Sequence, residues 1–499
     1  MKKSTLYAAR RLSGGRRLKR SIRWNMEKEV PLYKMIYNKI VNRILTGLYP
    51  KGYVLSSVQK IHAEHHVGYT SIRRAMHLLQ QEGFIQLEER KRPVVVFDEA
   101  DPCSRELRWR VFLSRRRTHL DCYRAIPCLI PGLVMLGARR CTPKLLEALE
   151  GLCAQPEGQL ARQNDLLVLV YTWQALVVQQ ADNDLAADLF LQIRGFDDLR
   201  FIVMPSAPLV PGEARAALQY LRHWTKLLRA GDLDSLHTLV SIFCQQAMCG
   251  LERAFLPLAE LPELQSVHQV EFNWYVRQSP APLYKKIAYD LLRTVHLEGM
   301  GAGDSFPSEA ALMEQYGVAA VTVRGALALL NSLGVAQTVN GVGTLFTGAC
   351  AYTPEARPYL RECCESLDVL AGCGRALALA AAQCMPEEGA AALRAGAEAC
   401  RTREGLVLWM LRQFVCAVPS QALENVFDQL ETRYIFGLYV SGLPGAAGRR
   451  GHQEEVYGRA MACLDRLEEG DGDAFADGFS RLCQDLRDEL GAQLAHLLG

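Results

Sequence analysis

No C-x-x-C spacing occurs among the sixteen cysteines of this 499-residue chain. Its absence removes the common thiolate metal clamps and thioredoxin-like redox motifs. Most of the cysteines, among them Cys122, Cys128, Cys153, Cys244, Cys373, Cys400 and Cys483, lie in helical text rich in Leu and Ala. A reduced thiol there serves as a small buried hydrophobe, which leaves the adjacent Cys363 and Cys364 as the candidate for redox chemistry. Acid is missing from the front of the chain: before Glu27 there is none, against nine Lys and Arg. Residues 1 to 30 therefore read as a basic, disordered extension. An apolar signal core is missing too, and no stretch approaches the apolar length that spans a bilayer, so a cytoplasmic location is expected. Met26 stands immediately before the first recognisable domain, and translation is expected to start there. A peptide from residues 1 to 25 in N-terminal mass spectrometry would contradict that start.

What the chain does contain is an internal repeat. Pro31-Leu-Tyr-Lys-Met-Ile36 returns as Pro282-Leu-Tyr-Lys-Lys-Ile287, and in the same register Gly52, Ser57, Val67, Arg73, Ala75 and Gly83 match Gly303, Ser308, Val318, Arg324, Ala326 and Gly334. Further on, Cys141-Thr-Pro143 recurs as Cys384-Met-Pro386, Trp173 as Trp409, and Gly231-Asp-Leu-Asp234 as Gly470-Asp-Gly-Asp473. The unit duplicated is thus a short domain plus a long one. The expected divisions are 31–98, 102–278, 282–348 and 354–499, with prolines at the junctions.

In the first short domain, Leu32, Ile36, Ile40 and Ile44 predict an amphipathic helix. Ser56-Ser57 is positioned to cap a second helix over Val58 to His65, and Thr70 to cap a third. The third places Ile72, Ala75, Met76 and Leu79 on one face and Ser71, Arg73, Arg74 and His77 on the other. Two strands, Phe84 to Leu87 and Val94 to Phe97, follow with a tip at Arg90, Lys91 and Arg92 between them. Such an arrangement is a winged helix-turn-helix with an outward-facing recognition helix. The second short domain repeats it, with Asn340-Gly-Val-Gly-Thr344 as the tip.

These residues resemble the GntR family of regulators. Gly303-Asp-Ser-Phe-Pro-Ser-Glu309, Tyr316-Gly-Val318, Thr322-Val-Arg324, Ala326-Leu327, Leu333-Gly334 and Gly341-Val-Gly-Thr344 follow the family signature nearly end to end. The resemblance implies a mainly α protein in which each winged helix is followed by an all-helical bundle of the FadR or FCD type. It also implies a double-stranded DNA operator as partner, a small-molecule effector sensed by the bundles, and a homodimer or an intramolecular pseudo-dimer. Carried over, the DNA contacts are Lys60, Tyr69, Thr70, Ser71 and Arg73 in the first copy, to which the outward Arg74 and the wing-tip Arg90, Lys91 and Arg92 are added from the pattern of the residues themselves. In the second they are Ser308, Thr322, Arg324, Gly341, Gly343 and Thr344. Both copies depart from the pattern: charged residues replace the wing glycines of the first, and Ala310, Ala319 and Ala320 stand in the second where arginine or serine is usual.

Charge separates the copies. Residues 31–98 carry ten Lys and Arg against five acids, a net +5, whereas residues 282–348 carry four against five, a net −1. Duplex affinity comes largely from neutralised phosphates, so the first copy is expected to dominate binding. The competing reading is a protein-docking scaffold that has lost DNA binding in one or both copies, the second before the first. The bundles lack paired histidines at metal spacing among His119, His223, His237 and His268, and Trp173 and Trp409 stand where a metal-binding relative carries a ligating His; no metal is expected. Some GntR-like regulators carry a pyridoxal phosphate enzyme domain, but the alternating strands, phosphate loop and Schiff-base lysine it needs are missing. No catalytic residue and no cofactor is expected.

Overall fold

The computed structural model describes residues 31–45, 49–65, 67–88, 91–98, 100–160, 163–196, 212–255, 269–274, 276, 281–348, 352–386, 388–400, 405–442 and 450–498. The basic extension, Met26 and the wing-tip Arg90 lie outside the described residues.

Each half opens with the same unit. In the first, α1 (Leu32–Leu45), α2 (Val58–His65) and α3 (Tyr69–Gln81) lead to a hairpin of β1 (Ile85–Gln86) and β2 (Val94–Val95). Ile36, Ile40 and Ile44 of α1 and Ile72, Ala75, Met76 and Leu79 of α3 bury their side chains in one core with Phe84 and Val95. In the second, α10 (Leu283–Glu298), α11 (Glu309–Tyr316) and α12 (Ala320–Ser332) precede β3 (Ala336–Val339) and β4 (Gly343–Phe346). The turn before each middle helix adds a third segment to the hairpin. Gly52 N donates to Val95 O and Gly303 N to Phe346 O, both at 2.8 Å, and Leu55 N to Pro93 O and Phe306 N to Thr344 O, both at 2.9 Å. Gly52 and Gly303 sit at φ +86° and +95°, where a side chain would be strained, which accounts for glycine in both copies.

Two details correct the sequence reading. The first hairpin pairs Ile85 with Val95 and Gln86 with Val94 and adds a bond from Val96 N to Phe84 O at 3.0 Å, short of four paired residues on each side; Pro93 has no N–H to contribute, and the charged residues beside it favour water over pairing. Helix α3 begins at Tyr69 behind Gly68 with no side-chain cap, so Thr70 does not cap it but lies exposed on its first turn.

The remaining helices form two bundles of parallel plan. The first comprises α4 (Pro102–Ala138), α5 (Pro143–Cys153), α6 (Gln163–Val178), α7 (Asp184–Phe196), α8 (Glu213–Ala230) and α9 (Leu233–Phe255). The second comprises α13 (Arg357–Cys384), α14 (Gly389–Glu398), α15 (Leu406–Ala417), α16 (Gln421–Val440), α17 (Arg450–Glu468) and α18 (Gly472–Leu498). The hub of the first is α4, on which α6, α7 and α9 pack; the hub of the second is α13, carrying α15, α16 and α18. Contrary to the sequence reading, α4 and the stretch Pro354–Cys384 are each long and apolar enough to cross a membrane. The physical reason is their place: hub helices have neighbours on several sides, and 78% and 50% of their apolar windows are buried inside the protein.

The hubs pack against each other, and the contact is reciprocal: α16 reaches across to α4, and α7 to α13. At the crossing, a Cβ placed on Gly132 would lie 2.5 Å from the Gly372 carbonyl oxygen. Asp121 of α4 accepts hydrogen bonds from Gln421 N at 2.9 Å and Ala422 N at 2.7 Å, capping α16 of the other bundle. In the mirrored place, buried Asn183 caps α7 through Ala186 N at 2.8 Å and donates to the Glu365 carbonyl at 3.0 Å. A strap before the second half spans both bundles: Val270 N donates to Ser114 O at 2.8 Å, and Trp274 donates from its indole to Asp188 at 3.0 Å and from its backbone N–H to Asn425 Oδ1 at 2.8 Å.

The two winged helices, or heads, are fastened differently. Arg115 of α4 donates to Asn38 at 3.0 Å and to Asn42, and Arg108 donates to the Leu45 carbonyl at 2.6 Å. Burial pulls the Arg115 guanidinium down to about 10. Head 2 instead puts Arg293 between Glu431 at 2.8 Å and Asp428 at 3.3 Å of α16, both also held by Arg412. Tyr289 stacks edge-on against Phe436 at 4.4 Å beside it.

Candidate nucleic-acid interface

Head 1 presents a cationic surface because α3 is amphipathic. With four apolar side chains turned inward, Tyr69, Thr70, Arg73, Arg74 and His77 are left exposed and Ser71 half-buried. Tyr69 is stacked on His62 at 4.4 Å. The Arg74 guanidinium lies 3.9 Å over the Tyr33 ring, a contact that orients it without removing its charge. Lys60 is exposed on α2, whose first turn is capped by Ser57 Oγ accepting from Lys60 N at 3.2 Å. At the wing, Lys91 and Arg92 are exposed; Lys91 is bound by Glu88, which lifts its ammonium above the ordinary lysine value chiefly through that hydrogen bond. Such an exposed pair is weak and yields readily to a phosphate.

Head 2 has the same frame with different side chains. Ser308 accepts from Ala311 N at 3.2 Å as the cap of α11, matching Ser57. Thr322 is half-buried and Arg324 is exposed, with its guanidinium 3.2 Å from Glu309. Gly341 and Gly343 stand at φ +78° and +122° and make the sharp wing tip. The Thr344 side chain is buried, 3.0 Å from the Thr338 hydroxyl, and builds the hairpin instead of pointing out of it. Sequence reasoning did not single out Val321 and Val342, which are 75% and 64% exposed on the first turn of α12 and at the wing tip. The signal was available: Val321 stands in register with Thr70.

The bundle residues considered for other chemistry are mostly interior. Trp173 is fully buried, edge-on to Trp224 at 5.1 Å, and donates to Thr225 at 2.9 Å; Trp409 is half-buried against Gly396. Burial pushes the Cys363 thiol far above the thiol range and Cys364 up to about 11, away from the thiolate that redox exchange requires. Cys400 lies just past α14, not within a helix. The void lined by Leu129, Leu370, Cys373 and Phe427 between the hubs and α16 measures about 10 Å³. Among the described residues no three His, Cys, Asp or Glu converge as a metal-holding group.

Residues 32–95 and 283–346 each match the model of the family described as bacterial regulatory proteins, gntR family. Comparison with curated proteins returns no match. Among solved structures, Streptococcus agalactiae GntR is 16% identical over 44% of this chain and 98% of its own, with a TM-score of 0.23. E. coli McbR/YncC is 14% identical over 46% of this chain and all of its own, with a TM-score of 0.25. Lar, which controls the expression of the Listeria monocytogenes agr system and mediates virulence, is 16% identical over 43% of this chain and 97% of its own, with a TM-score of 0.21.

Proposed function

We propose, from the match of residues 32–95 and 283–346 to the gntR family model, that the chain is a sequence-specific transcription regulator acting as a pseudo-dimer within one chain. The observation that carries this reading is the outward surface of head 1, where Lys60 on α2, Arg73 and Arg74 on α3 and Lys91 and Arg92 at the wing are all exposed, as are Tyr69 and Thr70 on the first turn of α3. The cations bind phosphates and release counterions, which supplies affinity and steering. Tyr69, Thr70 and Ser71 then meet base edges in the major groove, where sequence is read. Head 2 adds a second, weaker contact through Thr322, the glycine wing and Arg324, whose charge Glu309 offsets.

The reciprocal packing of α4, α7, α13 and α16 supports the pseudo-dimer, because an isologous interface is what a symmetric homodimer uses. The bundles then serve as the rigid spacer that sets the distance between half-sites. The void of about 10 Å³ beside Leu129 and Cys373 is too small for a metabolite, so an effector bound at that point has to part the hubs. No catalytic role is proposed. Footprinting on the gene's own upstream region, with sedimentation of the complex, tests the reading. One chain per operator, bound in a salt-sensitive manner, is expected; two chains on a strict palindrome would refute the pseudo-dimer, and no protection at all would refute the regulator.

A further inference from the structure

We infer that head 2 reads its half-site through thymine methyl groups, with Val321 as the contacting side chain; this rests on the DNA-binding reading above. Val321 is 75% exposed, more than any other large hydrophobic side chain among the described residues. It sits on the first turn of α12, the part of a recognition helix that enters the major groove. Its neighbours are short. Ala319, the N-cap, is exposed and Ala320 half-buried, so no long side chain holds the helix off the groove floor.

The chemistry available on this turn is narrow. Bidentate recognition of guanine needs a free arginine or lysine, and of adenine an asparagine or glutamine. Only Arg324 among these lies on the outer face of the first turns of α12, and its guanidinium is 3.2 Å from Glu309. Beside this one arginine, for which Glu309 competes as an exposed and weak partner, stand the Thr322 hydroxyl and the Val321 isopropyl group. Thymine's C5-methyl is the apolar group that base pairs present in the major groove. A cytosine or adenine amine set against the isopropyl would lose its water without gaining a partner, which is penalised. Head 1 carries Thr70 in the same register and has cations around it, so the two heads read different chemistry: hydrogen bonds and phosphates in one, methyl groups in the other. Val342, 64% exposed between Gly341 and Gly343, gives the second wing a matching apolar tip.

The test uses the full chain and duplexes selected from a randomised pool. In the selected duplex each thymine is replaced singly by deoxyuridine, which removes the methyl and nothing else, and affinity is measured for wild type, V321A and V321T. One or two thymines are expected at which the replacement weakens wild-type binding about fourfold each, the worth of one buried methyl-sized group. At those positions V321A is expected to lose the penalty and V321T to halve it, while 5-methylcytosine outbinds cytosine for wild type only. Because Val321 is exposed, the variants are expected to melt as wild type does. If no thymine shows a penalty that depends on Val321 while binding that depends on Arg73 persists, the inference is wrong and this face docks something other than a base, a protein surface included. If the chain shows no salt-sensitive duplex binding at all, the regulator reading falls and takes the inference with it.

Discussion

Head 1 and head 2 keep the same backbone hydrogen bonds from turn to hairpin and differ in nearly everything they show to solvent. One carries a net +5 and an arginine-lined recognition helix; the other carries −1 and exposes valine in the same place. Their moorings differ as well. Head 1 hangs from α4 by Arg115 and two asparagines, while head 2 is bolted to α16 by Arg293 among two carboxylates and a second arginine. After duplication, the groups that close the fold are under constraint from packing in both copies, but the outward side chains and the docking contacts are not. Affinity and specificity can therefore be divided between heads that share one frame.

The comparison breaks most visibly at the hub crossing. Gly132→Val places its Cβ against the Gly372 backbone, which cannot swing away as a side chain can. We expect a loss of more than about 4 kcal/mol in thermal unfolding. The facing change, Gly372→Ala, meets the Gly132 carbonyl at 3.3 Å and should cost only about 1 kcal/mol. Equal losses would mean that the bundles do not meet as described.

The moorings come next. Arg293→Met leaves buried Glu431 with one of its two guanidinium partners, Arg412, and removing one partner of a buried pair costs about 3–5 kcal/mol. Asn42→Ala, at the matching position of head 1, removes one of two neutral acceptors from Arg115 and should cost about 1–2 kcal/mol. Calorimetry of the two variants ranks them, and the reverse order would overturn the account of which head is held more tightly.

Binding sharpens the contrast further. Arg73→Ala is expected to weaken duplex affinity by roughly a hundredfold or more and Arg324→Ala by about threefold, since only the latter side chain already faces a carboxylate. Lys60→Ala should lower the slope of log affinity against log salt by about one. Gel-shift titrations at several salt concentrations decide; matching losses for the two arginines would remove the asymmetry.

The smallest expected effect is on pH. Burial, reinforced by Arg375 and Arg139 over the opposing pull of Asp234 and Asp477, brings His237 down to about 4. The unfolded chain, with an ordinary histidine near 6.5, takes up the proton first as pH falls. The stability tied to neutral His237 is thus whole above about 6.5 and lost on descending through about 4. Discounted for partial exposure it amounts to about 1–2 kcal/mol. Ala476 occupies the corresponding place in the second bundle, so His237→Gln should flatten the acid limb of the melting curve, and an unchanged limb would clear His237 of that role.

Much of this was readable before any coordinates. Helix spacing locates α1, α2 and α3, Ser56-Ser57 reads as the cap that Ser57 turns out to supply, and the Arg73 face reads as outward, because local periodicity and capping are short-range. What spacing along one segment does not show is what a neighbour from another element decides. The Thr344 hydroxyl finds Thr338 across the hairpin, Arg324 finds Glu309 on the preceding helix, and α4 is apolar because of what surrounds it and not because of a membrane. Trp274, Arg115 and Gly132 drew no attention, since a lone Trp, Arg or Gly carries no pattern until its partner from another element is known.

By itself, then, the sequence determined the duplication, the helix-turn-helix frame and the imbalance of charge between the copies, since each follows from residue type and spacing along one segment. Only the tertiary structure decided that the two bundles clasp each other within the chain, which head is bolted and which is hung, and which outward groups remain unspent. Periodicity marks the face a helix will bury; the surface that buries it is supplied by residues hundreds of positions away.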